Sequence, residues 1–388
     1  MYNIKTFNKI SNAIYNRMVA GSYCVSDALA NYDGVLVRSA KLHDETFSSD
    51  LKAIARAGAG TNNIPVDKCS ENGIVVFNTP GANANAVKEL VVATLLMSRR
   101  NLLEAVEWTK TLAGNGDQVP PMVEKGKGQF VGNEIKGKKL GVVGLGAIGA
   151  MVANAAVDLG MEVYGYDPYL SIKSAWSISR KVKNATSKQV LSECDIITYH
   201  VPLVESTRGS IDETAISHMK DGVVILNFSR AELANNEAVR QGLASGKIAK
   251  YYVDFPTEDM LGVPNCVCIP HLASGTEEAE ENCAIMASEQ MADYLETGSI
   301  KNSVNFPDME VNNAAKNKVC VLHRNEPSVI TNVTKVFGED SINIEDLASS
   351  SKGKYSYMVI QTNTDVDDSL VNELNDIDNV LKVRIIRG

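Results

Sequence analysis

Apolar residues in this chain fall into two kinds of stretch, and their order predicts an α/β protein. From Lys139 onward, short continuous apolar runs occupy 139–143, 161–166, 195–201, 222–227, 249–254 and 266–270, with segments of helical spacing between them. A strand that is apolar at every position is covered on both faces, and intervening helices supply the crossovers of a parallel sheet. Six such strands fit a complete doubly wound sheet. Before it, runs at Ile4–Phe7, Gly34–Val37, Leu51–Ala55 and Ile74–Asn78 predict a smaller α/β unit. Val87, Leu90, Val91, Thr94, Leu95 and Ser98 recur at helical spacing, with no glycine or proline to interrupt them, and predict one long helix over 84–107. The Gly-, Pro- and Lys-rich stretch 114–132 reads as an irregular surface segment.

A second long helix is expected over 276–297, with acidic residues in its first turn and Gly298 after its end. The polar stretch 308–317 reads as a linker. The remaining pattern is strand 319–322, helix 328–338, strands 342–347 and 355–361, helix 367–374 and strand 380–386. That βαββαβ order is a ferredoxin-like module.

The run at 139–143 leads into Gly144-Leu145-Gly146-Ala147-Ile148-Gly149. In a strand–turn–helix context, the first glycine permits a sharp turn and the second lets backbone approach a pyrophosphate. The third lets the helix pack on the strand. Asp167 ends the next run, 18 positions after Gly149, where an adenine ribose needs an acidic partner. It favours NAD over NADP, because a 2′-phosphate would meet its charge and the next residues, Pro168-Tyr169-Leu170, supply no arginine.

Composition narrows the partners. The net charge of −9 argues against nucleic acid or an anionic membrane as the main partner. The N-terminus has no apolar signal-peptide core, and no apolar run is long enough to span a bilayer. Seven scattered cysteines without a paired CxxC spacing predict reduced thiols, a cytoplasmic location and no metal site.

Three residues follow late strands, and all fall on the carboxyl edge of the sheet: Arg230, Glu258 and His271. An imidazole can accept an alcohol proton and a carboxylate can favour its charged form. A guanidinium can hold a carboxylate in bidentate fashion. Beside a nicotinamide, this is the equipment for hydride transfer at a carbon next to a carboxylate. Arg38 and the glycine-rich loop Arg56–Asn63 end two runs of the N-terminal unit and can face an anion there.

The chain resembles the D-isomer-specific 2-hydroxy acid dehydrogenases. The matching stretches are Val37–Ser39, Ala57–Asn62, Phe77–Pro80, Gly144–Gly149, His200–Leu203, Asn227–Arg230, Asp254–Glu258 and Pro270-His271. The resemblance implies a Rossmann domain, 86–274, inserted in a flavodoxin-like substrate domain made of 1–85 and 275–307. A C-terminal ACT module, 318–388, follows the linker. It implies NAD as cofactor, held by Gly144, Gly146, Ala147, Ile148, Gly149, Asp167, His200, Val201, Pro202, Thr207, Phe228, Ser229 and Asp254. Asp254 would meet the carboxamide. Arg230 would hold the substrate carboxylate, and Glu258 with His271 would form the acid–base dyad. Arg38 and Ser39 would bind a substrate phosphate, with Gly58, Gly60 and Asn78 as further contacts. The implied substrate is a small phosphorylated 2-hydroxy acid. L-Serine or another amino acid is implied as effector at His323, Asn325 and Asn343, and a homodimer or homotetramer as the assembly.

Three departures from the family pattern stand out. Asp254 abuts Phe255, where the family has an extra residue. Only 13 positions separate Glu258 from His271. Pro327-Ser328 replaces Pro-Gly in the effector loop. Two alternatives stay open: a dehydrogenase for another hydroxy acid, such as glycerate or 2-hydroxyglutarate, and a non-catalytic NAD-sensing scaffold.

Overall fold

The computed structural model describes residues 1–388, the side chain of Lys173 excepted. The chain divides into two compact units, one of Met1–Asn83 with Glu277–Gly388 and one of Ala84–Thr276.

The first unit opens with five parallel strands, β1 (Tyr2–Phe7), β2 (Tyr23–Ser26), β3 (Gly34–Val37), β4 (Ala53–Arg56) and β5 (Val75–Phe77), in the order β2-β1-β3-β4-β5. This is the flavodoxin-like order. Strand β2 is absent from the apolar pattern because it is an edge strand. Only Tyr23 is fully buried, and the strand pairs with β1 alone, so no continuous apolar run marks it. Helix Glu277–Thr297 lies against the sheet through Ala284, Ala287, Met291, Ala292 and Leu295. A Cβ at Gly34 would stand 2.8 Å from Met291 Sδ, so this close approach requires glycine in β3.

The second unit is built on β6 (Lys139–Val143), β7 (Glu162–Tyr166), β8 (Lys183–Asn184), β9 (Ile196–Tyr199), β10 (Val223–Asn227), β11 (Ile248–Val253) and β12 (Cys266–Cys268). The order is β12-β11-β10-β9-β6-β7-β8, all parallel. The six expected strands are joined by a seventh, two exposed residues long, at the β7 edge. The strand order reverses between β6 and β9, which is where such sheets open a ligand crevice at their carboxyl ends.

The single helix expected over 84–107 is two helices, Ala84–Met97 and Leu102–Lys110, with Asn101 at φ 45° between them. Tertiary contacts override the periodicity here. The Arg99 carbonyl turns out of the helix and accepts the N–H of Asn133 at 2.8 Å, while its guanidinium reaches the Asp195 carbonyl at 3.1 Å. Stretch 114–132 is not irregular throughout, for Val119–Gly126 is a helix. Its prolines occupy the first turn, where a missing N–H costs nothing.

Residues 310–316 contain no helix or strand. The chain then forms an antiparallel sheet of β13 (Asn317–Arg324), β14 (Asp346–Lys352), β15 (Tyr355–Thr362) and β16 (Val380–Arg387), in the order β14-β15-β13-β16. The helices Val329–Glu339 and Asp368–Asn375 share a core with one face of the sheet, through Val319, Val321, Phe337, Met358, Ile360 and Leu374. Side chains alternate along a strand. Cys320, Leu322, Tyr357 and Val359 therefore face the other way, and they join the core of the first sheet beside Phe77, Tyr294 and Phe306. Polar contacts reinforce that seam. Lys382 Nζ donates to the Leu51 carbonyl at 2.6 Å, Tyr357 donates to the Gly298 carbonyl at 2.7 Å, and Arg324 pairs with Glu71.

Candidate functional site

In the second unit, every residue singled out in the sequence follows the carboxyl end of a strand, and the strands are parallel, so these residues share one edge. Gly144 follows β6 with φ 88°; a Cβ there would lie 2.5 Å from the His200 carbonyl oxygen. At Gly149 a Cβ would lie 1.9 Å from the Gly144 carbonyl oxygen, so this glycine seats the helix Ala147–Asp158 on the turn. Gly146 differs. A Cβ built there meets nothing within 4 Å, which is the open space that a close-approaching ligand needs. Gly146 is also the N-cap of the helix, with no side chain capping it among the described residues. The free N–H groups of the first turn, which include those of Ala147 and Ile148, are left for an anion.

Asp167 follows β7 and braces the same turn. One carboxylate oxygen accepts the Leu145 N–H at 2.9 Å and the other accepts the Tyr169 N–H at 2.8 Å. After β9, His200 donates its N–H to the Val143 carbonyl at 2.7 Å, and its Nε2 lies 3.0 Å from Thr198 Oγ1. Burial lowers the imidazole pKa to about 4, so the ring is neutral. Val201 and Pro202 open a short loop that Thr207 closes, donating to the Pro202 carbonyl at 2.6 Å and accepting the Val204 N–H at 2.9 Å. Phe228 is buried, and Ser229 donates to the Tyr199 carbonyl at 2.8 Å. These residues fit a dinucleotide: an open glycine, unused amide donors and a carboxylate at the next strand end.

Arg230, Phe255 and His271 form a stack on this edge. The Arg230 guanidinium carbon lies 5.1 Å from the Phe255 ring centroid, and the His271 ring lies 4.3 Å from the same centroid. Phe255 holds the cation and the imidazole in one apolar frame. Arg230 is anchored from behind, because buried Asn227 donates to its carbonyl at 2.8 Å. His271 is exposed and has φ 51°, a left-handed conformation uncommon outside glycine and asparagine. Asp254 holds it there. The Asp254 carbonyl accepts the His271 N–H at 2.9 Å, and its carboxylate accepts the N–H groups of Leu272 at 2.7 Å and Ala273 at 3.0 Å.

Asp254 is fully buried, and each of its carboxylate oxygens accepts one backbone N–H, so in this structure it supports the histidine turn. Burial is also the main reason its carboxyl pKa is raised. Glu258 is not joined to His271: no hydrogen bond or ion pair links them among the described residues. Glu258 opens the short turn Glu258–Met260, in which Met260 points inward and Asp259 is taken by Asn236 and Arg240, which leaves Glu258 exposed. Phe255 escaped the sequence analysis as a functional residue. Its place between two candidate catalytic residues is the signal that could have found it.

In the first unit, Arg38 follows β3, Arg56 ends β4 and Asn78 follows β5, again on one carboxyl edge. The Arg38 carbonyl accepts Arg56 Nε at 3.0 Å, and Arg56 Nη1 reaches the Gly60 carbonyl at 2.5 Å. Gly58 has φ 157°, and a Cβ there would stand 2.9 Å from Arg56 Nη1. Asn78 donates to the Ala59 carbonyl at 2.6 Å. Asn8, which carried no sequence signal, accepts the Ser39 N–H at 3.1 Å and so shapes the Arg38-Ser39 turn. The Arg38 side chain pairs with Glu280.

In the C-terminal module, His323 is buried, and its Nδ1 lies 2.8 Å from the Arg324 carbonyl. With a carbonyl as partner, Nδ1 carries the proton. Nε2 is then a buried acceptor with no partner among the described residues. Burial lowers the pKa of this ring and keeps it neutral. Asn325 is exposed and donates to the Gly353 carbonyl at 3.2 Å, while Asn343 donates to Glu345 at 2.9 Å. Ser328 takes φ 71°, the conformation a glycine adopts freely. No group of three or more His, Cys, Asp or Glu among the described residues could hold a metal ion.

Residues 92–273 match the family described as D-isomer specific 2-hydroxyacid dehydrogenase, NAD binding domain. Residues 319–382 match the AHAS small subunit-like ACT domain. The chain is 30% identical to D-3-phosphoglycerate dehydrogenase of Escherichia coli, over 92% of this chain and 87% of that one. It is 28% identical to the enzyme of the same name from Haemophilus influenzae, over 84% and 79%. Among solved structures, it superposes on NAD-bound 3-phosphoglycerate dehydrogenase of Entamoeba histolytica with a TM-score of 0.62 and 25% identity, over 78% of this chain and 98% of that one.

Proposed function

This chain belongs to the D-isomer-specific 2-hydroxy acid dehydrogenase family, and from that premise we propose that it oxidises 3-phospho-D-glycerate to 3-phosphohydroxypyruvate with NAD, the first step of the phosphorylated route to L-serine. The observation that carries the reading is the Arg230–Phe255–His271 stack on the same sheet edge as the open Gly146 turn. The relatives named for this activity support the choice of substrate.

The nicotinamide of NAD, when bound, would supply the hydride acceptor for the carbinol carbon. Gly146 and the first-turn amides would hold its pyrophosphate, and Asp167 its adenosine ribose. Val201, Pro202, Thr207, Phe228 and Ser229 would line the rest of the cofactor. The chain's own residues do the remainder. His271 takes the hydroxyl proton at its imidazole. Arg230 clamps the carboxylate and polarises the forming carbonyl. Glu258 would reach His271 only after moving from its exposed position, and would then stabilise the imidazolium. Arg38, Ser39 and the Gly58–Gly60 loop would take the phosphate.

An assay following reduced nicotinamide, with a panel of hydroxy acids, tests the reading. Turnover of the phosphorylated acid well above that of glycerate, 2-hydroxyglutarate and lactate is expected. His271→Ala should lose about 10²–10⁴-fold in kcat. A wild-type protein that oxidises none of the panel would refute the dehydrogenase reading and favour an NAD-sensing scaffold.

Regulation and assembly complete the proposal. The bare Nε2 of His323 and the exposed Asn325 suit an amino-acid effector, whose ammonium would donate to the ring. A homo-oligomer is supported by apolar side chains left uncovered on the second unit, among them Leu96, Leu102, Val106 and Leu159. A cytoplasmic location is supported by the unpaired cysteines, and no helix among the described residues is long and apolar enough to cross a membrane.

A further inference from the structure

The arginine placed to receive a substrate anion already has an anion on it. Arg38 Nη2 lies 2.5 Å from Glu280 Oε1, and each side chain is 44% exposed. The two residues are far apart in sequence and meet because helix Glu277–Thr297 packs its N-terminal turns beside the carboxyl edge of the first sheet. Neither backbone is free to retreat. The Arg38 carbonyl is held by Arg56 Nε at 3.0 Å and by Asn63 Nδ2 at 3.4 Å. Glu280 sits between the buried Ala279 and Cys283, which fix its helix against the unit. Only the two side chains can change partners.

We propose that Glu280 is a specificity-determining residue: its carboxylate occupies Arg38 as an internal substitute for the distal anion of the substrate, and a ligand binds by displacing it. The proposal rests on the reading that Arg38 receives the substrate's distal group. An exposed ion pair is weak, so displacement is permitted. The displaced carboxylate stays nearby, however, because its helix is fixed, and it repels what has replaced it in proportion to the incoming charge. A distal phosphate, with two charges, is penalised most. A distal carboxylate, with one, is penalised less, and an uncharged methyl group is not penalised. Glu280 thereby lowers the margin by which this protein prefers a phosphorylated hydroxy acid over a dicarboxylic one.

The test is the Glu280→Gln variant, which keeps shape and removes charge, with Glu278→Gln as the control. That control removes an equal charge from the same turn without touching Arg38. Michaelis constants are measured for 3-phosphoglycerate, 2-hydroxyglutarate and lactate, whose distal charges are minus two, minus one and zero. Glu280→Gln is expected to lower the constant by about tenfold for the phosphorylated acid, about threefold for the dicarboxylic acid and less than about twofold for lactate. Glu278→Gln should give no such grading. Equal changes for all three acids, no change, or the same grading in both variants would overturn the proposal.

Titration calorimetry of the NAD-loaded protein with inorganic phosphate separates this outcome from the fate of the substrate reading. If the wild type does not oxidise 3-phosphoglycerate, the proposed function fails. The displacement still stands if Glu280→Gln binds phosphate about tenfold more tightly than the wild type, and falls if the two affinities match.

Discussion

The peptide carbonyl of Asp254 accepts the N–H of His271 at 2.9 Å, and the Asp254 carboxylate then accepts the N–H groups of the next two residues. A buried carboxylate thus wraps the turn that presents the imidazole. Asp254→Asn substitutes an amide that cannot accept from both sides, and one N–H meets another donor. The turn should relax and misplace His271. The expected outcome is a fall of about 10²-fold in kcat with little change in the dissociation constant for NAD. Steady-state kinetics and NAD titration check this, and an unchanged kcat would remove the positioning role.

Phe255 makes contact with both Arg230 and His271. Cation–π and aromatic contacts of this kind each contribute about 0.5–2 kcal/mol. Phe255→Ala should therefore cost about 10–100-fold in kcat/KM, and Phe255→Leu, which keeps bulk but no π face, should fall between. If leucine restores full activity, the ring is only a spacer.

The glycines of the cofactor turn should separate by phenotype. Gly149→Ala places a methyl group against the Gly144 carbonyl and should lower the thermal midpoint or prevent folding. Gly146→Ala meets open space in the protein and should fold normally. Its methyl group would stand where the pyrophosphate approaches, so NAD affinity should fall by about tenfold or more. Thermal melts paired with NAD titrations decide the matter. A Gly146→Ala protein with unaltered NAD affinity would move the pyrophosphate elsewhere.

His200 makes stability depend on pH. Its folded-state pKa is about 4, against 6.5 for the free side chain. Between those values the unfolded chain binds a proton that the folded chain refuses. Stability from this residue is therefore complete above about pH 6.5 and falls as the pH drops toward 4. Thermal midpoints across that window should fall less steeply in His200→Asn than in the wild type. Parallel slopes would mean that the folded protein protonates the ring without cost.

Which parts of this were legible follows from where the information sits. Gly149 is readable because its constraint is local: the Gly144 carbonyl leaves no room for a side chain. Gly144 is readable because its φ of 88° belongs to the same turn, although the His200 carbonyl from the end of β9 also closes that space. The parallel strands are readable because burial on both faces imposes unbroken apolar runs. Strand β2 is not, since an edge strand with one fully buried residue has no such run. The break after Met97 is equally silent. It arises from a distant segment, Gly132-Asn133, claiming the Arg99 carbonyl. At the site, the sequence placed Arg230 and His271 on one edge, but it could not say which way a carboxylate points. Asp254 turns inward to the histidine turn, and Glu258 stays in solvent, because the hydrogen bonds that decide each lie across a loop.

The two central strands of the C-terminal sheet, β13 and β15, are buried on both faces, by the module's own helices on one and by Phe77, Tyr294 and Phe306 on the other. A regulatory module joined only by a tether could be deleted to leave a working, unregulated enzyme. Here deletion would strip the roof from a shared interior and leave large aromatic side chains facing water. The module is structural masonry. Variants that weaken it should first be seen as insoluble or short-lived protein, before any change in response to an effector can be measured.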